Sequence, residues 1–302
     1  MLPSVMGALV STVVLIYVLS KGTYLRHARG IRAMKSVRNV VVVVYTVLLV
    51  LNLWCATIMP HNFWCDVIAV STLLATVALA AVVAERRIPA TTVVERRRVL
   101  AVGAHPDDLE LACGATLAKL VDTGHEVRGL VMSNGEEGGN KNMRPDEARH
   151  GATFLGLRRL DVLTFPDTKL ETVTNDMVRA IEAAIREFEP DVIFTHSAHD
   201  QHQDHYAVHQ ATLRAARAHH SILCFESPSV TRDFDPSVFV DIDGYVDVKV
   251  EAVLAHRDQA GKPYMTPGRV RGMAAFRGAQ AKNTNAEAFE PVRLLGSAIG
   301  DL

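Results

Sequence analysis

Two polar clusters in this 302-residue chain each follow directly on a strand-length apolar run. The first is His105, Asp107 and Asp108 in "GAHPDD", after Val99–Ala104. The second is "THSAHDQHQDHYAVHQ", residues 195–210, with His196, His199, His202, Asp204, His205 and His209. Adjacent carboxylates held at a strand end repel each other unless a cation lies between them. A zinc hydrolase takes three protein ligands and keeps one position open. One histidine and one aspartate of the first cluster, with one histidine of the second, meet that rule. Asp107 and Asp108 are consecutive and diverge, so one can face the ion while the other stays free as a general base. Water polarised by a divalent ion gives up its proton near neutral pH, which a carboxylate can then accept. His202 and His205 are three apart and share a helix face. One can bind metal while the other addresses the oxygen that gains charge, and Asp204 can fix the tautomer of its neighbouring imidazole.

Plainer readings stand beside these. An isolated acid pair or histidine pair is more often solvated surface, and His196 can simply end a strand. His209, His219 and His220 read as helix-face residues, and Glu136 and Glu137 of "SNGEEGG" as an exposed turn.

These clusters need a frame that brings distant segments together. From Arg96, "RRVLAVGAH", "EVRGLVMSNG", "LDVLTFPD", "DVIFTHS", "SILCFES" and "VFVDI" read as strands. Helices are expected at "DLELACGATLAKLVDTG" up to Gly124, at "RPDEARHGATFLG" up to Gly156, at "TNDMVRAIEAAIREFEP" and over 204–218. Alternation at this interval predicts an α/β fold, a Rossmann-like, mostly parallel sheet with helices on both faces. Such sheets bind ligands beyond the carboxyl ends of their strands. "GAHPDD" lacks the G-x-G-x-x-G of a dinucleotide site, which disfavours nucleotide binding.

The first third has a different composition. Pro3–Leu19, Val40–Met59 and Val67–Ala84 are apolar stretches, and the first acidic residue of the chain is Asp66. They predict a membrane anchor of three transmembrane helices preceding the α/β part, with Trp54, Phe63 and Trp64 as interfacial aromatics. Lys21, Arg26, Arg29, Arg32, Lys35 and Arg38 lie between the first two stretches, and Arg86, Arg87 and Arg96–Arg98 follow the third. The turn "PHNFWCD" has no basic residue. The positive-inside rule then places the catalytic part in the cytoplasm and the tight turn outside. The expected organisation is residues 1–95 as anchor and linker and 96–302 as the catalytic domain. A formal net charge of −1 gives no reason to expect nucleic-acid binding. Cys55, Cys65, Cys113 and Cys224 form no C-x-x-C pair and read as packing residues, without a disulfide.

"AHPDD", "SNGEEGG", "RPDEARHGATFLG", "FPDTKL" and "HQDH", in this order, resemble the PIG-L/LmbE-like family of zinc-dependent N-acetylglucosamine deacetylases. The resemblance runs over about residues 97–290, where "FVDID", "KVEAVLAHRDQ" and "AEAF" also fit. It implies His105, Asp108 and His205 as metal ligands and Asp107 as general base. His202 would stabilise the oxyanion or protonate the leaving amine, with Asp204 orienting it. Arg144 would contact substrate or acetate. Gln203 replaces a proline common in the family's second motif, outside the implied ligands, and His196 and His199 are not needed by the pattern. The implied cofactor is zinc, and a two-histidine, one-aspartate set also accepts iron(II). The implied partner is an N-acetylated amino sugar, which the anchor suggests is lipid-linked. The competing readings are a deacylase of another small amide, such as a thiol-precursor or antibiotic glycoside, and a membrane-anchored sugar binder without turnover.

Overall fold

The computed structural model describes residues 2–19, 31–58, 62–86 and 95–295, with side chains from Arg38 onward in the second helix and up to Ala84 in the third. The sequence readings for Lys21, Arg26, Arg29, Met59, Arg87 and most of the linker lie outside them, as do the side chains of Arg32, Lys35 and Arg86. The chain divides into two units, Met1–Pro89 and Ala90–Leu302.

In the first unit the apolar stretches form α1 (Leu2–Leu19), α2 (Ile31–Thr57) and α3 (Phe63–Arg86). α2 starts nine residues before the expected Val40, because "IRAMKSVRN" is itself a run of mostly good helix formers. The most apolar segments, Leu2–Leu19, Arg38–Thr57 and Phe63–Ala84, have 18, 20 and 22 residues. At 1.5 Å per residue each is about as long as a bilayer core is thick. Outward residues such as Leu9, Ile16, Val43, Val50, Leu74 and Val77 are more than half exposed. Inward contacts combine an apolar cluster around Val18, Val41 and Tyr45 with small and polar groups. A Cβ at Gly7 would overlap the Asn52 amide, so only glycine admits this approach of α1 to α2. Asn52 Nδ2 donates to Leu48 O at 2.8 Å and Thr72 Oγ1 at 2.9 Å, and Tyr45 OH donates to Thr76 Oγ1 at 2.9 Å. Close approach at small residues and a few buried polar bonds are how helices associate where no hydrophobic driving force acts between them. The expectation of four unpaired cysteines is corrected here, for Cys55 and Cys65 form a disulfide. They sit at the end of α2 and the start of α3, with their Cα atoms 5.5 Å apart.

The second unit is built on β1 (Arg98–Gly103), β2 (Glu126–Ser133), β3 (Arg159–Phe165), β4 (Val192–His196), β5 (Ile222–Phe225), β6 (Val238–Asp241) and β7 (Ala286–Arg293). Their order is β3-β2-β1-β4-β5-β7-β6, with the first five parallel and β7 running antiparallel between β5 and β6. The helices are α4 (Asp108–Thr123), α5 (Arg144–Leu155), α6 (Thr174–Phe188), α7 (Gln203–Ala215), α8 (Val246–Val253) and α9 (Pro267–Gln280). The mostly parallel sheet with flanking helices is the architecture expected. β7, α8 and α9 are additions beyond the sequence reading. Leu100, Val102, Leu130, Ile193 and Ile222 pack against Met177 and Ile181 of α6 and Val208 of α7. The opposite face of β1 and β2 meets α4 through Leu109, which lies against Gly103 and Gly129. Strands β1 and β4 are neighbours in parallel, Val99 opposite Val192 and Ala101 opposite Phe194. The chain runs outward in opposite directions from this pair, so the loops after β1 and β4 part and leave a crevice.

Candidate metal centre

Both polar clusters open into that crevice. β1 is held at its end by Ser133, whose N–H and Oγ donate to Ala104 O at 2.9 and 3.0 Å. The chain then turns sharply at Asp107, whose φ of 123° is one that side chains rarely adopt, and enters α4 at Asp108. This turn separates the two carboxylates.

Asp108 faces the second cluster. Its Oδ2 accepts from the N–H groups of Ala104 at 2.9 Å and His105 at 2.7 Å, and lies 3.1 Å from His196 Nε2. Its Oδ1 lies 3.4 Å from His205 Nε2, and Oδ2 lies 3.6 Å from His105 Nδ1. Ligand atoms around a tetrahedral ion with bonds near 2.1 Å stand about 3.4 Å apart. These two separations match. Among the described residues, three groups of side chains have ligand atoms within 4.8 Å of one another: His105, His202 and His205; Asp108, His196 and His205; and His105, Asp167 and Asp204. None of these three groups joins all of His105, Asp108 and His205, the set implied by the resemblance: His105 and His205 fall together with His202, and Asp108 falls with His205 and His196.

The far atoms of these groups are already engaged, as ligand imidazoles require. His205 Nδ1 bonds Asp200 at 2.8 Å, and Asp200 is held in turn by Ser227 and Ser229. His105 Nε2 lies 3.1 Å from both Asp167 and Asp204. Burial opposes the charged form of His105, but bonds to Asp108, Asp167 and Asp204 override it and hold the ring well above its ordinary value. Burial likewise opposes charge on His205, yet Asp108 and Asp200 push it up to about 9. Asp200 and Asp167 are held well below the ordinary carboxylate range; burial opposes this, and hydrogen bonds to His205 and His105 prevail. Without an ion the acids retain protons on His105 and His205, the charge balance expected of a site suited to a cation.

Asp204 departs from expectation. Its carboxylate accepts from the N–H groups of Thr168 at 2.7 Å and Leu170 at 3.1 Å and bonds His105. It reaches His202 only through its backbone, whose N–H donates to His202 Nδ1 at 3.3 Å. The reason is placement: His202 caps α7 while Asp204 is inside its first turn and points into the core, at 0 % exposure. His202 stacks on His205 at 4.4 Å and borders the cavity. Burial and the nearby charges of His205 and His105 lower it, so it is neutral near pH 7.

Asp107 lines the same cavity of about 240 Å³. Burial and the charge on Asp108 push its carboxyl up to about 6, against Arg144, His256 and His105. Arg144 Nη2 reaches Asp107 Oδ1 at 3.4 Å and donates to Pro106 O at 3.0 Å, while Nη1 donates to Gly135 O at 2.7 Å. A Cβ at Gly135 would strike that guanidinium, so the "SNGEEGG" turn is shaped around it. Arg144 borders the cavity as expected of a substrate contact, but its bonds run to Asp107 and backbone carbonyls.

His196 is fully buried behind Asp108 and burial lowers it to about 4, whereas His199 bonds Glu290 Oε1 at 2.9 Å and is exposed. Sequence reasoning gave no role to Asp167, Asp200, His256, Lys262 or Tyr264. Asp167 follows β3 as Asp107 follows β1, and Asp200 lies five residues before His205, which are the signals that could have found them. Lys262 and Tyr264 border the cavity from the loop after α8 and carry no such signal.

A family profile described as "PIG-L: GlcNAc-PI de-N-acetylase" matches residues 100–216. The chain is similar to the "Uncharacterized deacetylase YaiS" of Escherichia coli K12, 39 % identical over 170 residues, covering 54 % of this chain and 92 % of that protein. It is similar to the "Probable N-acetyl-alpha-D-glucosaminyl L-malate deacetylase 2" of Bacillus cereus, 32 % identical over 184 residues, covering 54 % of this chain and 84 % of that protein. Among solved structures it is similar to the conserved protein TT1542 of Thermus thermophilus, with a TM-score of 0.59 and 28 % identity over 66 % of this chain and 96 % of that one.

Proposed function

Because the chain belongs to the PIG-L family of GlcNAc-PI de-N-acetylases, we propose that it hydrolyses the N-acetyl amide of an amino sugar with a divalent metal. The observation that carries the reading is the split between the consecutive acids. Both border the cavity, but Asp108 lies among His105, His196 and His205 while Asp107 faces Arg144.

A donor set of two imidazoles and one carboxylate fits zinc or iron(II), with His105, Asp108 and His205 as the ligands. Such an ion, when bound, polarises water and the amide carbonyl. Asp107 takes a proton from the attacking water and passes it to the nitrogen as the carbon–nitrogen bond breaks, giving acetate and a free amine. Arg144 holds Asp107 by its guanidinium and favours the ionised form that can accept a proton. His202 receives the Asp204 N–H at Nδ1, so the neutral ring carries its own proton on Nε2 and can donate it to the oxygen that gains charge. Asp167 and Asp204 fix His105, and Asp200 fixes His205.

The proposal extends to the first unit: residues 1–95 anchor the chain in a bilayer and 96–302 form the cytoplasmic deacetylase domain. Outward apolar side chains on helices of bilayer length support this. The Cys55–Cys65 disulfide adds chemical support, since it suits an oxidising compartment and lies at the turn assigned to the outside by charge. A substrate at the membrane surface, a lipid-linked amino sugar, follows from that anchoring. The test is acetate release by the metal-loaded full chain in lipid nanodiscs from soluble and lipid-linked N-acetylglucosaminides. Release from at least one, lost on chelation and restored by zinc or iron(II), is expected; none from a fully loaded protein overturns the reading.

A further inference from the structure

Beside the 240 Å³ cavity lies a groove of about 720 Å³, and the two share Leu111, Pro228 and Tyr264 as a common wall. We propose that this groove binds the aglycone of the amino-sugar substrate, an apolar group that passes Tyr264 while the acetamide sits at Asp107. The proposal rests on the deacetylase reading and names what that substrate carries.

Size favours it. Pockets that enclose a drug-sized ligand measure roughly 300–1,000 Å³. The catalytic cavity falls below that range and suits one sugar ring, whereas the groove lies within it. The wall is preformed as well. Arg277 is clamped by Glu226 through two bonds of 2.8 and 2.6 Å, and its guanidinium lies 5.4 Å from the Phe234 ring and 5.0 Å from the Phe276 ring. Held between two rings and bound to a carboxylate, this platform loses little freedom when a ligand covers it. Met273 and Phe276 are 42 % and 53 % exposed, a helical turn apart on α9, and both border the groove.

Charge narrows the occupant further. Glu226 is neutralised by Arg277, and Glu287 by Lys249 at 2.6 Å. The remaining charges bordering the groove, Arg232 and Arg269, are positive and disfavour a cationic aglycone. Most of this surface comes from residues after 216, beyond the segment matched by the family profile. It is therefore a place where relatives sharing one chemistry can differ in what they carry to it.

The experiment compares methyl and benzyl glycosides of N-acetylglucosamine on the full-length, metal-loaded chain in nanodiscs. We expect kcat/KM for the benzyl glycoside to be about tenfold higher, the gain from burying a few ring carbons. In Phe276→Ala with Met273→Ala that ratio should fall to about one. Both substrates are measured on one preparation, so partial misfolding lowers both rates and leaves the ratio readable. A wild-type ratio near one, or a ratio that survives the double substitution, overturns the proposal. If the wild type cleaves neither glycoside, acetate release from a lipid-linked N-acetylglucosaminide decides whether the deacetylase reading stands, and calorimetry still reads the groove through tighter benzyl than methyl binding, with equal affinities overturning the proposal. A second copy of the chain is the rival occupant. Phe276→Glu would then change the sedimenting mass and leave the ratio intact, which also counts against an aglycone site.

Discussion

Asp107→Asn separates the two consecutive acids by both chemistry and stability. Asparagine keeps the shape, tolerates the positive φ better than other side chains, and still accepts from Arg144. It cannot accept a proton from water. Turnover should fall by a factor on the order of 10²–10⁴, the usual contribution of a general base, with metal content unchanged. Stability should move the other way. In the metal-free protein the carboxyl rises from 3.8 to about 6, so the folded state binds its proton more tightly than the unfolded chain. Ionisation then costs about 3 kcal/mol of stability, lost as pH rises from about 4 through 6 and constant above about 7. The variant escapes that loss and should gain about 3 kcal/mol over wild type at pH 8 and almost nothing at pH 4. Both tryptophans, Trp54 and Trp64, belong to the first unit, so fluorescence does not report on this site. Amide hydrogen exchange over β1 and α4 in the metal-stripped full chain reads the second unit directly. A gain that is absent at pH 8, or equal at both pH values, refutes the electrostatic reasoning; an empty metal site in the loaded variant refutes the division of roles.

Other expectations follow from the same geometry. Arg144→Met removes the cation that favours ionised Asp107, so the acid limb of the pH–rate profile should move to higher pH; a fixed limb would show that another group titrates there. His205→Ala should lose most bound metal on elemental analysis while His199→Ala retains it, since only His205 reaches Asp108. Asn52→Leu removes the amide bonded to Thr72 and overpacks Gly7, and should lower the thermal stability of the three-helix unit by several degrees in nanodiscs, with no change counting against polar packing there. A reporter fused after Leu302 should behave as cytoplasmic, and an exported signal would reverse the topology.

The sequence exposed the side chains that border the cavity and hid their supports. Asp107, Asp108, His202 and His205 were legible because each cluster directly follows an apolar run, and a strand end in an α/β sheet is where ligands bind. Asp200 and Asp167 were not, because their partners are set by how loops fold back, and no spacing encodes that. Asp204 was assigned to the wrong imidazole for the same reason: His202 lies two residues before it, but the first turn of α7 aims it at His105. In the tail, α8 and α9 carry weak apolar periodicity, and β7 reads as a fragment until its antiparallel pairing with β5 and β6 is seen. Cys55 and Cys65 were visible ten residues apart between two apolar stretches, yet no C-x-x-C spacing marks them as a pair.

The left-handed backbone at Asp107 also shapes how this chain can evolve. Glycine would relieve the turn and asparagine would relieve the buried charge, and each is one nucleotide change from an aspartate codon. A duplicated copy released from selection for turnover would therefore drift first at this position. Silent paralogues would be recognisable by an intact histidine set beside a missing acid, and would outlast their active parent on heating.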